Sequence, residues 1–231
     1  MDGASLWLMM GGMGIYQGLN PTMGWLHAVG RGLERRSVRA VLGSVWTLAA
    51  GHAAAMAVVL LPAALLLALV AVPPVAILPV VGPAMVAFGA WKLWHARHPR
   101  FLARVPPRCA MRWSFLMALT HCGSPLMMLA PLATVLSLLA ASGHTGADAY
   151  GAGAMAVVAA MALPFLLTAS LIALIVYRRL GLGALTRIWL DLDRIWSIAF
   201  VAMGLMAILM IPAVADVPLL GSLCAAAGMP G

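Results

Sequence analysis

The stretch Gly-Leu-Asn-Pro-Thr-Met-Gly at 18–24 and the stretch His-Cys-Gly-Ser-Pro at 121–125 decide the fold of this chain. Each places a proline beside polar residues inside a long apolar segment, and the two prolines, Pro21 and Pro125, are 104 residues apart. Proline removes a backbone N–H donor and clashes with the preceding turn, so it interrupts a helix. Paired interruptions in the two halves of a membrane protein indicate a transporter binding site near the bilayer midplane.

The composition predicts an all-α integral membrane protein. Hydrophobic residues make up 64% of the chain and charged residues 9%, whereas a soluble domain carries about 25% charged residues. Apolar runs of about 20 residues recur, which is the length that a helix needs to cross a bilayer. We therefore predict six transmembrane helices, at about 5–29, 40–71, 76–94, 113–140, 149–177 and 192–213, with the first and fourth broken at proline.

The basic residues predict the orientation of these spans. All 14 Lys and Arg residues lie in 31–39, 92–112 and 178–194. The positive-inside rule places such stretches in the cytoplasm, which puts both termini outside it. We expect a multi-pass protein of a bacterial-type inner (plasma) membrane. The net charge of +8 does not indicate nucleic-acid binding, because the sequence offers no basic face with stacking aromatic residues.

The six spans also predict an internal repeat within one transmembrane domain covering 1–231. Each half holds three spans, an odd number, so the repeats, at about 1–95 and 112–214, would cross the membrane in opposite senses. Gly51 precedes Pro62 by eleven residues in the second span, and Gly153 precedes Pro164 by eleven in the fifth. This match supports two inverted three-helix repeats.

Polar residues at membrane depth are the candidate binding groups, since such residues are costly in lipid and usually face the bundle interior. The predicted substrate-binding residues are Gln17, Asn20, Pro21, His52, Thr120, His121, Cys122, Ser124 and Pro125. Imidazole and thiolate groups bind soft metal ions, so His52, His121 and Cys122 are also the predicted metal ligands. The alternative is that the histidines are hydrogen-bonded structural residues and that Cys122 is a small buried apolar group.

The two broken helices, the short length and the basic loop that precedes Gly51-His52 resemble the LysE superfamily of small exporters. This group includes amino-acid exporters, nickel/cobalt-efflux proteins of the NicO type and the CcdA/DsbD electron carriers. The stretch Cys-Gly-Ser-Pro at 122–125 is similar to the helix break of the CcdA-like carriers. The resemblance implies a six-helix layout and transport.

The predicted function is therefore transport of a small substrate by alternating access, without an enzymatic activity or a resident cofactor. A transition-metal or other soft cation is favoured as substrate over an amino-acid-like or thiol solute. The alternatives are a membrane thiol redox protein that uses Cys122 and a non-transporting membrane subunit. The expected partners are the lipid bilayer, the substrate or metal ion and a second copy of the chain in a homodimer, with no nucleic acid.

Overall fold

The structure, a computed structural model, describes residues 3–70, 73–95, 109–180 and 192–209. All regular structure in these ranges is helical, as the sequence predicts, and comprises eight α-helices with short 3-10 and π-helical turns. The α-helices are α1 (Gly3–Leu19), α2 (Trp25–Arg35), α3 (Val38–Val70), α4 (Leu78–Trp94), α5 (Ala110–Met117), α6 (Ser124–Ala141), α7 (Ala147–Ile175) and α8 (Leu192–Leu209).

Three of the described helical segments are long and apolar enough to cross a membrane. They are Val38–Val70, Ser124–Ala141 and Ala147–Arg179. The segments Leu78–Trp94 and Ser197–Leu209 are apolar but shorter. The segments Val38–Val70 and Ala147–Arg179 coincide with the second and fifth predicted spans, whereas Ser124–Ala141 covers only the part of the fourth that follows its break. The end of the sixth predicted span, 210–213, lies outside the described residues.

The chain divides into two compact units. Unit 1 comprises Met1–Val59, Arg97–Pro125 and Met155–Leu192, and unit 2 comprises Leu60–Ala96, Leu126–Ala154 and Asp193–Gly231. Each unit draws segments from both predicted repeats, so the compact units and the repeats divide the chain in different ways. All of the candidate binding residues belong to unit 1.

Helix α2 belongs to unit 1 and has two contrasting faces. Trp25, Ala28, Val29 and Gly32 are buried, whereas Glu34 on the opposite face is exposed. This pattern follows from the 3.6-residue period, which brings apolar positions three and four apart to one side. The apolar side joins residues of α3, α5 and α7 in one hydrophobic core of unit 1.

Unit 2 contains a close contact between the backbones of α4 and α8. A Cβ atom built on Gly204 would lie 2.7 Å from the carbonyl oxygen of Gly82 and 2.8 Å from the amide nitrogen of Val86. Nearby, the rings of Phe88 and Phe200 pack with centroids 5.0 Å apart. Small residues let membrane helices approach in this way, so glycine is required at the crossing point.

Candidate functional site

The first helix interruption follows the end of α1 at Leu19. Pro21 opens a 3-10 turn that runs to Met23, and Gly24 then precedes α2 with a φ of 99°. A residue with a Cβ atom rarely adopts this left-handed conformation. A Cβ atom at Gly24 would also lie 2.7 Å from the ring of Trp113. Backbone conformation and packing therefore both require glycine at this position.

The second interruption has a similar construction. Helix α5 ends at Met117, a π-helical turn covers Ala118–Cys122, and Gly123 has a φ of 60°. Pro125 then lies in the first turn of α6, where its missing N–H leaves no intrahelical hydrogen bond unmade. Each interruption thus combines a left-handed glycine with a nearby proline.

A buried hydrogen bond joins the two interruptions. Gln17 Nε2, in the last turn of α1, donates to Ser124 Oγ at 2.9 Å, although the residues are 107 apart in sequence. Gln17 is 1% exposed and Ser124 is fully buried, and Asn20 is buried as well. The structure therefore brings together two of the residues that the sequence singles out on either side of the breaks, and it buries a third.

Two glycines on α1 set the position of Gln17 by packing directly on α7. A Cβ atom at Gly18 would lie 2.7 Å from Thr168 Cβ and 2.9 Å from the carbonyl oxygen of Phe165. A Cβ atom at Gly14 would meet the carbonyl oxygen of Met161. The four-residue spacing of these glycines matches the small-residue motif of close membrane-helix pairs. The spacing of Gly14 and Gly18 is visible in the sequence, but the proline pattern alone does not predict this contact.

His52 is the second buried polar group of the site. It is fully buried, and its ring stacks on Phe165 with centroids 5.0 Å apart and an interplanar angle of 24°. Among the described residues, neither ring nitrogen of His52 has a hydrogen-bond partner, and neither does Gln17 Oε1. Phe165 connects the two groups, because its ring contacts His52 and its carbonyl faces Gly18.

These unpartnered atoms give the site its chemical character. A buried polar atom without a hydrogen bond costs about 1–3 kcal/mol, so native proteins leave few of them. The Ser124 hydroxyl can either donate or accept, and each orientation of the Gln17 amide therefore leaves one amide atom free. The site offers neutral nitrogen and oxygen atoms to a water molecule, a cation or a polar solute.

Ser114 is a buried polar residue that the sequence reasoning does not identify. Its Oγ donates to the carbonyl oxygen of Leu48 at 2.7 Å and so joins α5 to α3 one turn before His52. Gly51 lies in the same contact, since a Cβ atom there would meet the carbonyl oxygen of Met111. The sequence feature that could have identified Ser114 is its hydroxyl group inside an apolar segment.

The remaining predicted residues have different placements. Thr120 is exposed and its hydroxyl donates to the Leu116 carbonyl at 2.7 Å, so it does not join the buried polar group. Pro21 is half-buried at the first break. The side chains of His121 and Cys122 lie outside the described part of the structure, and with them two of the three predicted metal ligands. No group of three His, Cys, Asp or Glu side chains that could hold a metal ion occurs among the described residues.

Comparisons with protein-family models, with curated proteins and with solved structures give no match for this chain. The LysE-superfamily resemblance therefore stays a prediction based on the short motifs around the two breaks.

Proposed function

We propose that this chain is a membrane transporter that binds a small substrate at the buried polar group beside the two helix interruptions. The Gln17–Ser124 hydrogen bond carries the proposal, because it links two broken helices in a buried position and leaves a polar atom of Gln17 unpaired. Broken helices that converge on one site are the typical construction of midplane substrate sites in transporters. The proposal includes six spans arranged as two inverted repeats, between which access to the site would alternate.

A transition-metal or other soft cation is the first substrate class to test. The two unpaired nitrogens of His52 support it, since imidazole is a ligand for such ions. The remaining ligands would come from His121 and Cys122. An amino-acid-like or thiol solute is the second class, supported by the neutral hydrogen-bonding groups of Gln17 and Ser124.

Calorimetric titration of the purified protein with Ni(II), Co(II), Zn(II) and Cu(I) tests the first class. His52→Phe removes both nitrogens but keeps an aromatic ring on Phe165, and replacement of an unpaired polar group by an apolar one of similar shape preserves stability. Thr120→Val is the matched control, because this exposed hydroxyl is bonded within its own helix.

The expected result is saturable binding of at least one ion by the wild type and by Thr120→Val, with loss of binding in His52→Phe. The same ion should then enter dye-loaded proteoliposomes only with the proteins that bind it. Equal binding by all three proteins would remove His52 from the site. Absence of binding by the wild type would reject the metal class and direct the flux assay to amino acids and small thiols.

A further inference from the structure

An open apolar groove lies between α3 and α7 in unit 1. Its volume is about 170 Å³. The lining residues, all apolar, are Trp46, Ala49, Ala50, Ala53, Ala162, Leu163 and Leu166. Because both helices are long and apolar enough to cross a membrane, this groove would open toward the hydrocarbon region, and only an apolar group can fill it favourably.

Arginine residues gather at the end of α3 and α7 that is nearest to the groove. Gly32 of α2 packs against Val41 of α3 and Tyr177 of the π-helical turn that follows α7, so these three segments meet at one point. Around this point the sequence places six arginines and a single acidic residue, Glu34. The arginines are Arg31, Arg35, Arg36, Arg39, Arg178 and Arg179, of which all but the half-buried Arg31 are exposed.

One face of α3 connects the arginines to the groove. Arg39, Trp46 and Ala53 are spaced by seven residues, which keeps them close to one line along the helix. At 1.5 Å per residue, Arg39 lies about 10 Å along the axis from Trp46. Trp46 is 64% exposed, and tryptophan favours the boundary between headgroups and acyl chains. The face therefore runs from positive charge through an interfacial aromatic residue to an apolar groove.

We propose that unit 1 binds one anionic phospholipid, with an acyl chain in the α3–α7 groove and its phosphate against Arg39 and the neighbouring arginines. This arrangement matches the lipid in both charge and polarity, since anionic headgroups are held by clusters of Arg and Lys beside membrane helices. The inference requires only that α3 and α7 lie in a membrane and does not depend on the transport proposal.

Native mass spectrometry of the detergent-solubilised full chain tests this inference, because it reports both bound lipid and oligomeric state. The probes are dioleoyl phosphatidylglycerol and dioleoyl phosphatidylcholine, which carry the same chains but differ in net charge. Inorganic phosphate is the third probe and separates headgroup binding from lipid binding. The wild type should retain one phosphatidylglycerol per chain in preference to phosphatidylcholine, and phosphate should not displace it.

Two variants test the two parts of the site. Arg39→Gln should weaken phosphatidylglycerol binding about fivefold, the effect of one basic residue near an anionic surface. Its control is Arg112→Gln, which removes an exposed arginine of α5 that lies outside the cluster. Ala53→Phe should fill the groove and reduce retention of both lipids, whereas Ala152→Phe, at an exposed position of α7 outside the groove, should not.

Equal retention of the two lipids by the wild type would overturn the proposal, as would identical lipid preference in Arg39→Gln and Arg112→Gln. Displacement by phosphate would show an anion site without an acyl-chain groove. If Ala53→Phe changed the dimer fraction and left lipid retention intact, the groove would be an interface between copies of the chain. Arg39 is on the surface, so its variant remains informative even if Ala53→Phe does not fold.

Discussion

Replacement of Gly18 by alanine should destabilise the protein by about 2 kcal/mol, although alanine is the better helix former. The added Cβ atom would lie 2.7 Å from Thr168 Cβ, 2.9 Å from the Phe165 carbonyl oxygen and 3.1 Å from the Ala169 amide nitrogen. Carbon atoms pack at about 3.5–4.0 Å, so the first contact is too short by about 0.8 Å or more. Two of the three obstructing atoms belong to the backbone and cannot be relieved by rotation of a side chain.

The magnitude follows from three contributions. Overpacking of this kind costs about 1–3 kcal/mol. A shift of α1 away from α7 also strains the 2.9 Å hydrogen bond of Gln17, the residue that precedes Gly18, and this bond is worth about 1 kcal/mol. Alanine favours the helix by about 1 kcal/mol relative to glycine, which offsets part of this loss. The balance is a loss of about 2 kcal/mol.

The assay is equilibrium unfolding in mixed micelles of increasing SDS fraction, followed by far-UV circular dichroism. Gly11→Ala is the matched control, because nothing lies within 4 Å of a Cβ atom built at Gly11 on the same helix. This control should be neutral or more stable by up to about 1 kcal/mol. Equal stability of the two variants would refute the close contact between α1 and α7.

Three further predictions concern other contacts, and each is measured by the same unfolding experiment. Ser114→Ala should lower the free energy of unfolding by about 1 kcal/mol, because it removes a buried hydroxyl that donates to the Leu48 carbonyl and leaves that acceptor unpaired. An unchanged stability would show that this hydrogen bond does not form. Gly204→Ala should cost about 1–3 kcal/mol, since its Cβ atom would lie 2.7 Å from the Gly82 carbonyl oxygen, and a gain in stability would contradict the contact. Arg36→Gly should stabilise the protein by about 1 kcal/mol, because Arg36 follows the end of α2 with a φ of 48°, in the left-handed region. A loss of stability in this variant would exclude that conformation.

The proline pattern predicts the two helix interruptions, but it does not distinguish these prolines from the prolines that lie inside continuous helices. Pro62 and Pro164 lie inside the uninterrupted helices α3 and α7, so proline alone does not end a helix in this chain. The interrupted segments differ in carrying a glycine with positive φ, Gly24 or Gly123, within three residues of the proline. Sequence reasoning identifies the candidate breaks, and only the backbone conformation shows which prolines accompany a change of direction.

The candidate site was predictable to a similar degree. Gln17, Asn20, His52 and Ser124 stand out in the sequence because polar groups in apolar segments are costly, and the structure buries all four. Their pairing was not predictable, since the Gln17–Ser124 hydrogen bond spans 107 residues and depends on how α1 packs on α7. Thr120 stands out for the same reason, but its hydroxyl is satisfied by the carbonyl of its own helix, which sequence spacing alone does not reveal.

Apolar packing therefore controls the polar chemistry of unit 1. The amide of Gln17 is neutral, and its place is set by Gly14 and Gly18, which let α1 approach the α7 backbone. His52 is likewise oriented by a ring contact with Phe165 and not by a hydrogen bond to a described residue. Because Phe165 contacts both parts, a displacement of about 1 Å between α1 and α7 would change the environment of both unpaired groups. Under the proposed transport function, Gly18→Ala should consequently weaken substrate binding under conditions in which the variant is still folded, a sensitivity that a purely structural role for these polar residues would not produce.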